Sequence, residues 1–137
     1  LIKHPEIRIL YFGDKNGKLL VDHICQDFSP RVINFAAKTN LRELLSLIQK
    51  CHLFITNDSG PMHVAAALKT PLLAIFGSTN SIKTGPYKSG TVINKKAVCS
   101  PCYLRSCPID FRCMTTITPL EVYHKAQHIL QQTIRLA

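Results

Sequence analysis

No apolar run in this 137-residue chain approaches the roughly 18 residues a membrane-crossing helix needs, and the amino end carries no signal-peptide pattern. Those absences predict a cytosolic soluble domain. A Gly-rich Walker loop and a GxGxxG run are also missing, which weakens the standard P-loop and dinucleotide readings. There is no internal repeat and no low-complexity linker. Acidic residues are scarce, 8 against 17 Lys plus Arg, for a net charge of +9. The scarcity is uneven: residues 59–137 hold 9 basic and 2 acidic groups, whereas residues 1–58 hold 8 and 6. Lys83, Lys88, Lys95, Lys96, Arg105 and Arg112 lie in or near loop-like sequence and would attract a polyanion. Nucleic acid, an anionic membrane surface and a phosphorylated substrate all fit that charge. Against nucleic acid, the cations form no helical stripe and no reading module is present.

The chain is long enough for one domain with a real core and short for most two-domain enzymes. It opens at Leu1 and leads at once into the strand-like Ile7–Phe12, so residues 1–137 are expected to be a domain incomplete at its amino end. Strand and helix periods then alternate. Lys18–Cys25 reads as a helix with Leu20, Val21, Ile24 and Cys25 on one side, Ser29-Pro30 as a turn and Val32–Phe35 as a strand. Asn40 and Glu43 form a capping box before the helix Leu41–Lys50, whose apolar face is Leu41, Leu44, Leu45 and Ile48. Leu53–Thr56, Met62–Lys69 and Leu72–Phe76 read as strand, helix and strand, and Thr91-Val92-Ile93 as a further strand. Thr118-Pro119-Leu120-Glu121 starts a last helix over 118–135, with Val122, Ala126, Ile129, Leu130 and Ile134 at helical spacing. Short apolar strands alternating with helices predict an α/β fold, a Rossmann-like parallel sheet with crossover helices.

The segment Thr56-Asn57-Asp58-Ser59-Gly60-Pro61-Met62-His63 joins the carboxyl end of a strand to a helix amino terminus, where open α/β sheets bind ligands. Pro61 suits the first helical turn, and Asp58 or Ser59 is expected to cap it. Asp58 can accept from sugar hydroxyls while the Ser59 and Gly60 amides face phosphate; it serves equally as an Asx turn. His63 either donates to a ligand oxygen or fills the helix–sheet interface. Gly77-Ser78-Thr79-Asn80 follows the next strand and should line the same sheet edge, its hydroxyls and amides suited to phosphate or ribose. Gly85-Pro86-Tyr87 reads as a loop turn, with Tyr87 stacking on a base or covering the core.

Cys25 and Cys51 read as small core residues. Cys99, Cys102, Cys107 and Cys113 form C-x2-C-x4-C-x5-C. Four cysteines so close can bind zinc, although the second half of the spacing fits paired knuckles poorly, and disulfides are disfavoured in a cytosolic setting. This leaves an alternative of another class: a non-enzymatic nucleotide- or nucleic-acid-binding module with a four-cysteine metal site.

The run Asn57–Leu68 followed by Pro71–Thr79 resembles the carboxyl-terminal half of glycosyltransferase family 9, the ADP-heptose–lipopolysaccharide heptosyltransferases. Pro101–Pro108 with Cys113 is most similar to the heptosyltransferase II branch, and the likeness covers about residues 5–135. The resemblance implies a GT-B enzyme of two Rossmann-like domains, whose carboxyl-terminal one binds the nucleotide sugar. It implies transfer of heptose from ADP-heptose to the lipopolysaccharide inner core, with inversion and with no metal or other cofactor. Asp58 then matches the family aspartate at the donor sugar, Ser59 and Gly60 the backbone at the pyrophosphate, and His63 the histidine of that motif. Gly77, Ser78 and Thr79 would border the donor pocket. The family's general base belongs to an amino-terminal acceptor domain that this chain lacks, so residues 1–137 alone are expected to be inactive. The implied partners are the donor, the inner-core acceptor and that missing domain, with no nucleic acid. The implied location is the cytoplasm, peripheral to the cytoplasmic face of the inner membrane.

Overall fold

The computed structural model describes residues 6–26 and 30–135, so Ser29 of the expected turn and the Ile134 side chain lie outside what is described. The chain divides into two compact units, Leu1–Leu44 and Leu45–Ala137. In the first, β1 (Ile9–Tyr11) and β2 (Val32–Asn34) pair in parallel, with Ile9 opposite Val32 and Tyr11 opposite Asn34. Helix α1 (Lys18–Gln26) connects them. Its Val21 is buried, whereas Leu20, at the margin of the expected apolar stripe, is 64 % exposed. Asp14 accepts from the Gly17 amide at 2.8 Å just before α1, and Asp22 of α1 accepts from the Asn34 side chain of β2.

Helix α2 (Leu41–Gln49) begins in the capping box the sequence indicates. The Asn40 amide donates to Glu43 Oε2 at 2.8 Å and the Glu43 amide to Asn40 Oδ1 at 3.0 Å. Ile48 is fully buried, and Leu41, on the first turn, is largely exposed.

The second unit is built on three parallel strands in the order β3 (Phe54–Asn57), β4 (Leu72–Phe76), β5 (Thr91–Asn94). The register sets Asn57 opposite Ile75 and Phe76 opposite Asn94, so the carboxyl ends of the strands lie at one edge. Burial on both faces holds for the middle strand: Leu72, Leu73, Ala74 and Phe76 are all within 1 % of complete burial. In β3, which has one hydrogen-bonded neighbour in this sheet, Ile55 stays 38 % exposed. Each large side chain sequestered at β4 contributes about 1.5–3 kcal/mol of transfer free energy.

Helix α3 (Gly60–Ala67) crosses from β3 to β4 and buries Met62, Ala65 and Ala66. It starts two residues earlier than its apolar pattern suggests and ends in a Schellman turn. There Lys69 takes φ 57, its amide bonds the Ala66 carbonyl at 3.1 Å, and the Thr70 amide bonds that of Ala65 at 3.0 Å. The buried Thr70 hydroxyl then donates to the Ile48 carbonyl, which as a helix-end group has no partner inside α2.

Two short helices were not legible as such: α4 (Ser81–Thr84), capped by Asn80, and α5 (Arg112–Thr115). The last helix, α6 (Pro119–Arg135), begins as expected, with the Glu121 amide donating to Thr118 Oγ1 at 3.2 Å. Ala126 is its fully buried point, and the Glu121 carboxylate forms an ion pair with Lys95 at 2.9 Å.

Candidate functional site

At the carboxyl edge of the β3-β4-β5 sheet lies an open cleft of about 260 Å³. Its floor is Asn57 and Asp58 after β3, and Ile75, Gly77, Ser78 and Thr79 at the end of β4. Its wall is the segment from Cys99 to Met114, which contributes Arg105, Asp110, Phe111 and Arg112 together with all four clustered cysteines. Consecutive parallel strands bring the loops that follow them to one edge, which is why residues 58 and 77–79 meet.

Asp58 is half-buried and does not cap α3, contrary to the sequence expectation. Its Oδ2 accepts from the Thr84 hydroxyl of α4 at 3.1 Å. Ser59 occupies the cap position in extended geometry and makes no side-chain cap bond either. Its hydroxyl is already used, donating to the Asn57 carbonyl at 3.2 Å and lying 3.1 Å from the Thr56 hydroxyl. With no side chain drawn over it, the amino end of α3 keeps its Gly60 amide unbonded among the described residues. Ser59, Gly60 and His63 do not line the cleft, and His63 is exposed on α3 rather than packed against the sheet. Tyr87 is exposed as well, with the Lys88 ammonium 5.1 Å from its ring centre, so it does not cover the core.

Gly77 is where wall and floor meet. A Cβ there would lie 2.6 Å from Met114 Sδ, so any larger residue would have to displace the Met114 side chain from the end of β4. The Ser100 hydroxyl donates to the Gly77 carbonyl at 2.7 Å and the Tyr103 amide to the Ser78 carbonyl at 2.9 Å. The wall is therefore strapped to the 77–78 turn. Thr84, Ser100 and Tyr103 were missed from sequence because each is more than 20 residues from its partner. Strand order was the available clue for Thr84: a helix directly after β4 faces the loop directly after β3.

The electrostatics of the wall are mostly internal. Asp110 takes Arg112 in a forked pair, Nε to Oδ1 at 3.0 Å and Nη2 to Oδ2 at 3.1 Å, and the guanidinium holds its carboxyl below the usual range. The amides of Ile109 (3.5 Å) and Phe111 (3.4 Å) point at the Cys107 sulfur and lower its pKa, against opposing burial. Among the described residues no three His, Cys, Asp or Glu side chains form a group able to hold a metal ion, and all six cysteines are free thiols.

A sequence profile for glycosyltransferase family 9 (heptosyltransferase) matches residues 3–111. The chain belongs to glycosyltransferase family 9. Within the family it groups with the heptosyltransferase II branch. It is 35 % identical over 132 residues to lipooligosaccharide heptosyltransferase 2 of Campylobacter jejuni, covering 91 % of this chain and 41 % of that protein. It is 46 % identical over 61 residues to the protein of the same name from Haemophilus influenzae, covering 44 % of this chain and 18 % of that one. The structure of E. coli ADP-heptose lps heptosyltransferase II superposes with a TM-score of 0.75 at 28 % identity, over 91 % of this chain and 37 % of that one. A family 9 glycosyl transferase from Veillonella parvula has the same TM-score and coverage at 24 % identity and shares the fold. The family 9 chain thus has a GT-B-like fold of parallel strands and crossover helices, and it spans about two fifths of the length of its first curated relatives.

Proposed function

We propose that residues 1–137 are the donor-binding domain of an inverting heptosyltransferase that moves heptose from ADP-heptose to the lipopolysaccharide inner core. Asp58 carries the reading: a carboxylate at a strand end, opening on a cleft beside the Gly77-Ser78-Thr79 turn, in a family 9 chain. Thr84 holds one carboxylate oxygen, which leaves the other lone pairs to accept from sugar hydroxyls. In this reading the Ser59 and Gly60 amides lie by the pyrophosphate, His63 donates to a phosphate or sugar oxygen, and Gly77, Ser78 and Thr79 border the donor. No cofactor is invoked.

Inverting transfer requires a base within hydrogen-bond reach of the acceptor hydroxyl. Both acids at the cleft already have partners, Thr84 for Asp58 and Arg112 for Asp110. The family resemblance assigns that base to an acceptor domain outside residues 1–137, and in this reading the chain alone binds donor without turning it over. The acceptor is lipid-linked, so the enzyme works peripherally at the cytoplasmic face of the inner membrane. Among the described residues no helix is long and apolar enough to cross that membrane.

Calorimetric titration of this chain with ADP and with ADP-heptose, wild type and Asp58→Ala, tests the reading. Both ligands should saturate, and the heptose's added affinity should vanish in the variant. A folded wild-type chain that gains nothing from the heptose, or gains it equally in Asp58→Ala, overturns it.

A further inference from the structure

Two cations line the cleft, and they differ in one respect. Arg112 is neutralised by the forked pair with Asp110. Arg105 has no hydrogen bond or ion pair among the described residues. It lies two residues beyond Tyr103, whose amide is bonded to the Ser78 carbonyl, so the strap that closes the wall also fixes where Arg105 begins. Across the same cleft the Asp58 carboxylate has a hydroxyl partner and, among the described residues, no cation. The cleft therefore presents one uncompensated positive group and one uncompensated negative group. They are not joined to each other.

A ligand that satisfies both must be anionic at one end and rich in hydroxyl donors at the other. We infer that Arg105 is a further diphosphate-contacting residue, taking phosphoryl oxygens from the wall of the cleft while the Ser59 and Gly60 amides next to Asp58 take them from the α3 side and Asp58 takes the sugar. The inference rests on the donor reading for the identity of the anion. A guanidinium presents a planar fork of donors that matches a phosphoryl group, and its charge does not titrate away. When the glycosidic bond to the diphosphate breaks, its electron pair stays on the departing phosphate oxygen. Arg105 is then in contact with more negative charge than in the ground state, the condition for stabilising a leaving group. The cleft's volume, about 260 Å³, is below the roughly 300–1,000 Å³ of typical ligand pockets.

The test compares inorganic pyrophosphate, ADP and adenosine as ligands for this chain, by calorimetry or NMR, in wild type, Arg105→Ala, Arg105→Lys and Lys125→Ala. Arg105→Ala should weaken pyrophosphate and ADP about ten- to a hundred-fold and leave adenosine unchanged. Arg105→Lys, keeping charge and losing the fork, should fall between. Lys125→Ala removes an equal charge from the exposed face of α6 and should match wild type. Unchanged ADP and pyrophosphate affinity in Arg105→Ala, an equal loss in Lys125→Ala, or no pyrophosphate or ADP binding by wild type overturns the inference. Arg105-dependent pyrophosphate binding with no added affinity from the heptose upholds the anion site and sinks the donor reading instead.

Discussion

Cys107 and Cys51 show how a single residue's surroundings decide its chemistry. Both are half-buried thiols, yet backbone amides aimed at its sulfur lower the pKa of Cys107, while burial raises that of Cys51. The Cys51 thiol instead donates to the Leu47 carbonyl at 3.2 Å, a bond that only the protonated form can make. A folded-state pKa below the ordinary value means a larger thiolate fraction near neutral pH, and the thiolate is the nucleophile. Brief iodoacetamide treatment of the native chain at pH 7 should therefore modify Cys107 well before Cys51, with the Cys107 rate levelling off at the lower pH. Peptide mapping by mass spectrometry reads this directly, and equal rates at the two sites would contradict it. The sequence exposed the cluster of four cysteines but not this difference, because the amides that act on Cys107 come from a turn, not from charged neighbours.

At the level of elements, local signals that involve three or four adjacent residues were legible and long-range ones were not. The Asn40–Glu43 box is reciprocal, as the spacing says, and Thr118 receives the Glu121 amide. Substituting Asn40 by Ala removes the acceptor for the Glu43 amide at an exposed helix start and should cost about 1 kcal/mol. The unfolding midpoint in urea should fall with the slope unchanged; a midpoint within error of wild type would show that the Glu43 half suffices. The end of α3 was harder to read because Lys69 holds the left-handed position where glycine is usual. The start of α3 misled for a different reason. Asp58 and Ser59 are good capping residues, but other partners claim them: Thr84 of α4, 26 residues on, takes Asp58, and the neighbouring Thr56 and Asn57 groups of β3 take Ser59. The cleft floor could be read from strand order, whereas the wall could not, since Ser100 and Tyr103 reach back more than 20 residues to Gly77 and Ser78.

Across the whole molecule the charge asymmetry becomes sharper once ion pairs are counted. The only two acids of residues 59–137 are Asp110 and Glu121, and both are engaged, with Arg112 and Lys95. The remaining cations of that half have no acid of their own half to neutralise them. Beside them, Val98 just before the wall segment, and Tyr103, Leu104, Ile109 and Phe111 on it, are each at least half exposed. Cations interleaved with exposed apolar side chains suit an anionic bilayer surface, where each basic residue near the lipid contributes about 1 kcal/mol at physiological ionic strength. Solution screening shortens the reach of those charges from about 10 Å in 0.1 M salt to about 3 Å in 1 M. This chain should therefore sediment with phosphatidylglycerol vesicles in dilute buffer, be released in about 0.5 M salt, and ignore phosphatidylcholine vesicles throughout. Replacing Lys96 by Glu reverses one exposed charge next to Val98 and should weaken that sedimentation without moving ADP affinity, since Lys96 does not line the cleft. Equal binding to both lipids would instead assign the attraction to the apolar side chains, and no sedimentation in dilute buffer would remove the peripheral-membrane part of the proposed function.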